Sequence, residues 1–175
     1  MSSADSPGAV LRKLVAEAVG VEGGDALLDD AGLAERGGDP DPASRLPALV
    51  GAGDTVVGVV PRADPGLARR LLEGVGGDDD SGGGETVRLV FTGRAADRLT
   101  GPSGAVIRSV LAERGVEASR HDGDSPIGVL LVDDRAVVGL FDERGLAALL
   151  WSDAPAVREW AAATCRRYLA AAEPA

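Results

Sequence analysis

The residues that carry most protein chemistry are scarce in this chain: one histidine, His121, one cysteine, Cys165, and a lone lysine, Lys13. A zinc or iron site needs several His, Cys or clustered carboxylate ligands at fixed spacing. His121 has only Asp122 and Asp124 beside it, so a strand-end or loop histidine is expected and no metal. The run Asp78 to Asp80 lacks the alternating oxygen ligands of a calcium loop and reads as a solvated acidic loop. Cys165 cannot form an internal disulfide, and its alanine-rich helical surroundings suit a buried or half-buried small thiol. The glycine-rich stretch from Gly74 to Gly84 cannot be a Walker loop, which needs Gly-Lys followed by Ser or Thr. Gly101-Pro102-Ser103-Gly104 reads as a turn with a proline-initiated helix rather than an anion cradle. There is no Gly-x-Ser-x-Gly elbow, and Asp133-Asp134 falls at a hairpin tip, where adjacent carboxylates point apart toward water. The expectation is a non-enzyme without metal or cofactor.

With 18 basic and 28 acidic residues the formal net charge is −10. Affinity for DNA comes mainly from Lys and Arg contacts to phosphate, so no direct nucleic-acid binding is expected. Residues 1–50 carry four basic side chains against nine acidic ones and at most two helices, which leaves no room there for a basic recognition helix. Abundant acid, arginine in place of lysine, and plentiful alanine and glycine resemble the composition of proteins from salt-loving archaea. No apolar run approaches the roughly 20 residues that span a bilayer. Met1 to Gly8 has neither the basic nor the apolar region of a signal peptide, so no membrane association and a cytoplasmic location are expected.

Length and composition fit one globular core. Ser6 can cap a helix that has Pro7 in its first turn, carries Leu11, Leu14 and Val15 at helical spacing, and stops at Gly20. A second helical stretch is expected around Asp25 to Glu35, then turns from Gly37 to Ser44. Strands follow at Thr55 to Val60, Thr86 to Thr92 and Val116 to His121. Helices are expected between them: one capped by Asp64-Pro65, then Arg94 to Leu99 and Pro102 to Arg114. Ile127 to Val132, Ala136 to Phe141 and Leu146 to Trp151 are joined by turns too short for anything but antiparallel neighbours. A final helix, capped by Ser152 or Asp153 with Pro155 in its first turn, presents Val157, Trp160, Ala161, Thr164, Tyr168 and Leu169 on one face. The expected fold class is α/β: a mixed sheet with helices on its faces, β-α-β-α-β followed by an antiparallel meander and a C-terminal helix. The expected division is 1–44, an N-terminal helical segment and linker, and 45–175, the α/β domain.

Leu46-Pro47-Ala48-Leu49-Val50 with Thr55 to Pro65, then Pro126 to Asp134, Gly139, Asp142, Gly145 and Ser152-Asp153, resembles the middle domain of the methanogenesis regulator FilR and the effector domains of TrmB-type archaeal transcription regulators. The resemblance spans about residues 45–173. It implies a phospholipase D-like core without catalytic residues: His121 is followed by Asp122 and Gly123, not by the His-x-Lys of active enzymes. It also implies a small-molecule-sensing or regulatory role, exercised through a homodimer or a DNA-binding protein partner. The alternative is a dimerisation or docking module without ligand.

Ligands of open α/β sheets collect beyond the carboxyl ends of parallel strands. Those ends supply the candidate effector-binding residues Arg62, Asp64, Thr92, Arg94, Arg98 and His121. Arg62, Arg94 and Arg98 suit a small anionic metabolite, held by forked hydrogen bonds. Their competing role is pairing with surface carboxylates. Trp151, Trp160 and Tyr168 are expected to pack the core and the last helix rather than line a pocket.

Overall fold

The computed structural model describes residues 6–20, 31–38, 41–42, 44–45, 49, 55–61, 86–99, 101–113, 116–123, 127–133, 135–142 and 145–174. The expected helix after Asp64, the Gly74–Gly84 loop, and the segment 25–30 lie outside these residues.

Helix α1 (Pro7–Val19) starts as its signals require. The Ser6 side chain accepts from the Ala9 N–H, Pro7 opens the first turn, and Gly20 closes the helix at φ 70°. Leu11 and Val15, one turn apart, are fully buried. The next described element is strand β1 (Gly32–Glu35), not the helix expected up to Glu35. It pairs antiparallel with a strand near the other end of the chain, Gly32 opposite Trp151 and Ala34 opposite Leu149. Tertiary pairing overrides the weak local preference of four residues, and the glycine is needed: a Cβ on Gly32 would run into the Trp151 indole. Expected turns give way to a helical one at Asp41, whose carbonyl accepts from the N–H groups of Ser44 and Arg45.

Strands β2 (Thr55–Val60), β3 (Thr86–Phe91), β4 (Val116–Arg120), β5 (Ile127–Val132), β6 (Arg135–Asp142) and β7 (Gly145–Ser152) fall where the apolar runs place them. So do α2 (Gly93–Arg98), α3 (Gly101–Glu113) and α4 (Pro155–Ala171). A two-residue strand, β8 (Glu173–Pro174), had no sequence signal. The sheet order is β1-β7-β6-β5-β2-β3-β4-β8. β2, β3 and β4 run parallel, β5, β6 and β7 form the antiparallel meander, and β2 joins the two halves through its antiparallel pairing with β5. A mixed α/β sheet with a C-terminal helix is thus what the chain builds.

The sheet separates two apolar clusters. One cluster joins Val56, Val60, Leu89, Phe91, Leu130, Val137 and Leu149 with Ala95 and Leu99 of the α2 segment and Leu111 of α3. On the other face α1 and α4 bring Leu11, Val15, Val157, Ala161 and Cys165 onto Val129, Ala136, Val138, Ala148 and Leu150. Adjacent residues such as Val137 and Val138 serve opposite clusters, because side chains alternate across a strand. Burial on both faces is why these strands read as unbroken apolar runs.

α4 does not use the expected cap. Its N-cap is Ala154, with no side-chain capping bond. Ser152 instead accepts from the Ala154 N–H at 3.1 Å, shaping the turn that leads into the helix. At the β5–β6 hairpin Asp133 adopts φ 49°. It faces water, yet its Oδ1 accepts from the Thr55 N–H at 2.9 Å and its own N–H donates to the Thr55 carbonyl at 3.0 Å, tying the hairpin to the start of β2. Asp134 lies outside the described residues.

Candidate functional site

The carboxyl ends of β2, β3 and β4 are stitched together by the backbone of the residues that follow them. Thr92 N–H donates to the Val60 carbonyl at 3.0 Å, His121 N–H to Phe91 at 3.0 Å, and Ala95 N–H to Pro61 at 3.3 Å. Thr92 is 1% exposed and is the N-cap of α2, but its hydroxyl makes no capping bond and has no hydrogen-bond partner among the described residues. Gly93, at φ 51°, turns the chain sharply so that α2 starts directly beyond the strand end; a positive φ is costly for a residue with a Cβ.

His121 follows β4, as a strand-end histidine should. Its Nδ1 accepts from the Gly123 N–H at 2.8 Å. The Gly123 carbonyl in turn accepts from the Gly93 N–H at 3.0 Å, so the loop after β4 is fastened to the first residue of α2. The imidazole also meets the Tyr168 ring edge-on, centroids 4.8 Å apart at 64°. A Cβ on Gly123 would sit 2.9 Å from His121 Nδ1 and 3.7 Å from the Tyr168 ring.

Between these elements opens a cleft of about 150 Å³. It is lined by Ala96 and Asp97 of α2, Arg120, His121 and Asp122 at the end of β4, Ala171 at the end of α4, and Glu173 of β8. Arg120 is half-buried, while Asp97, Asp122 and Glu173 are exposed. The lining offers one forked cationic donor, three carboxylate acceptors and an imidazole. Among the described residues no three His, Cys, Asp or Glu are grouped to hold a metal ion.

Of the residues singled out from sequence, Thr92 and His121 are brought to neighbouring strand ends. Arg94 and Arg98 lie on α2, at its second and last positions; their side chains, with Arg62 and Asp64, lie outside the described residues. Asp97, Ala171 and Glu173 were missed. Asp97 shares a short helix with the flagged arginines and could have been added on that ground. Ala171 and Glu173 reach the site only because β8 pairs with β4, Glu173 opposite Arg120. Tyr168 is half-buried against His121. Trp151 packs on the cluster that includes Leu149 and Val137, with the Arg45 guanidinium 5.2 Å above its ring, and Trp160 packs on the opposite cluster.

Cys165 is buried in that opposite cluster. Its Sγ points at the carbonyls of Val57 and Val129, 3.7 and 3.9 Å away. Burial pushes its thiol up to about 11, because the thiolate would lose its hydration. It is an inert packing residue, as its alanine-rich helix suggested.

The layered mixed sheet, with a polar cleft at the carboxyl edge of its parallel strands, defines the class: a mixed α/β domain. Residues 41–171 match the family described as methanogenesis regulatory protein FilR1, middle domain, and the chain belongs to that family. Among solved structures it is similar to TrmBL2, an archaeal chromatin protein described as showing a novel mode of DNA binding. That match has a TM-score of 0.54 and 13% identity, and covers 95% of this chain and 60% of the TrmBL2 chain. It is similar also to NucT from Helicobacter pylori, with a TM-score of 0.61 and 12% identity over 83% of this chain and 99% of that one. At such identities the likeness is one of fold. No curated protein matches the sequence. The family is a regulatory domain and TrmBL2 shares its fold, which bears out the FilR- and TrmB-like resemblance. Among the described residues no helix is long and apolar enough to cross a membrane.

Proposed function

We propose that the chain is a non-enzymatic effector-sensing domain of a transcription regulator, cytoplasmic and suited to a salt-rich cell, acting through its own dimer or a DNA-binding partner. The observation that carries this is the cleft at the carboxyl edge of β3 and β4, in a chain whose family is regulatory. Arg120, joined by Arg62, Arg94 and Arg98, is proposed to hold the carboxylate or phosphate of a small metabolite. Asp97, Asp122 and Glu173 would accept from its hydroxyls. Thr92 and His121 complete the proposed site. Its proposed phospholipase D-like core is read as a catalytic scaffold converted to recognition, since the chain's one histidine, His121, is followed by Asp122 and Gly123 rather than by x-Lys.

TrmBL2 is described as binding DNA. A net charge of −10 argues against this chain gripping a phosphate backbone unaided, so contact with DNA is assigned to a partner. The test is a thermal-shift screen against phosphorylated sugars and hydroxy acids in molar KCl. A ligand-specific rise in melting temperature, abolished by Arg120→Ala and reduced by Arg94→Ala, is expected. No shift with any metabolite, together with a concentration-dependent dimer in light scattering, would replace sensing by a ligand-free docking module. Tight binding of the isolated chain to DNA at physiological salt would overturn the assignment to a partner.

A further inference from the structure

The loop that closes one side of the cleft is held by a hydrogen bond that only a neutral imidazole can accept. His121 Nδ1 takes the Gly123 N–H at 2.8 Å, which fixes the proton of the neutral ring on Nε2. Once protonated, both ring nitrogens are donors, and Nδ1–H would confront the Gly123 N–H. That contact is not isolated. Gly123 passes it on through its carbonyl to the Gly93 N–H, the start of α2, and α2 contributes Ala96 and Asp97 to the cleft. On the other side the imidazole rests against Tyr168 of α4, the helix that contributes Ala171.

Resting on the sensing reading above, we propose that His121–Gly123 is a proton-released latch on the effector cleft: neutral His121 holds the loop against α2, and protonation frees it. The ring meets Tyr168 of α4, and the charged groups lining the same cleft are Asp97 from α2, Arg120 from β4, Asp122 from its own loop and Glu173 from β8. Arg167 lies 5.9 Å from the Tyr168 ring centre. Carboxylates, guanidinium groups and phenols ordinarily titrate outside the window of about pH 5 to 8 in which a histidine changes charge. His121 is the chain's single histidine, so an imidazole signal in a titration has one source. The latch makes the cleft's wall sensitive to acidity whether or not an effector is present. An effector that packs against the loop therefore binds a different surface on either side of the transition.

The experiment is an amide and imidazole NMR titration of the ligand-free chain. The Gly93 and Gly123 amides are expected to move with the same midpoint as the His121 ring. Hydrogen-exchange protection of the Gly93 N–H should fall about tenfold on the acid side, the scale set by losing one ordinary hydrogen bond. His121→Asn supplies a non-titrating oxygen that accepts from the N–H two residues on, as in an Asx-turn. That variant should keep both amides in their neutral-pH positions throughout. His121→Phe, which has no acceptor, should hold them in the acid positions at every pH. Gly93 and Gly123 amides that stay still while the ring titrates, or a His121→Asn chain that keeps the wild-type pH response, would overturn the latch. Because no ligand enters these measurements, a titrating latch alongside a blank metabolite screen would remove only the sensing reading.

Discussion

The two halves of the sheet are built by different rules. In β5–β6–β7 each strand pairs with its sequence neighbour, and α1 and α4 pack against one face. In β2–β3–β4 the strands are parallel and joined by long crossovers. Their carboxyl ends are left to short backbone links and to α2, and it is there that the cleft opens. The meander holds the molecule together; the parallel half exposes polar groups at a rim. Closely packed strands have little freedom to host a ligand, whereas a rim made of loop and helix starts can accept one without disturbing the core.

That contrast is sharpest in a cavity-forming substitution at the meander. Leu150 is fully buried against the α1–α4 cluster, and Leu150→Ala is expected to cost about 2–5 kcal/mol in chemical denaturation. Gly32→Leu drives a side chain into Trp151 and is expected to cost about 1–3 kcal/mol in the same assay, with loss of β1 protection in hydrogen exchange. Asp133→Ala removes the tie between the hairpin and Thr55, a loss of about 1 kcal/mol, while Asp133→Asn, which tolerates the same backbone angle and retains an acceptor, should recover most of it. On the parallel half, Arg88 and Glu117 stand directly opposite at 2.9 Å but are 52% and 69% exposed. Arg88→Ala should therefore change stability by about 0–1 kcal/mol, less in high salt. A large loss there would mean the two halves are more alike than their burial indicates.

Cys165 offers a pH test of the covered half. Its folded thiol titrates near 11 against an ordinary value of 9.0. A raised acid favours the folded state fully below the ordinary value, and that contribution is lost as pH climbs from about 9 through about 11. At pH 8 native thiol reactivity toward a disulfide reagent should be about a hundredfold below that of the unfolded chain from thiolate fraction alone. Rapid native labelling would show that α4 lifts off the sheet.

How much of this was legible in the sequence follows the same division. Apolar runs buried on both faces announced β2 and the meander, and Ser6, Pro7 and Gly20 marked α1, because those signals are local. β1 was misread as helix because its four residues become a strand only opposite Trp151, in a strand late in the chain. β8 was invisible, since two residues carry no period. At the site, the carboxyl-edge rule led to Thr92 and His121, which directly follow strands. Asp97 and Glu173 escaped because their place depends on how α2 and the last residues fold back over β4.

β8 both finishes the sheet on the β4 side and supplies Glu173 to the cleft. Anything fused after residue 175, whether an affinity tag or another module, would tug directly on the wall of the cleft. A fusion ahead of α1 would instead pull on a helix that supplies no residue to the cleft lining and is anchored by Leu11 and Val15. The two ends of the chain are thus mechanically unequal handles, and the N-terminal one is the safer place to hold the protein.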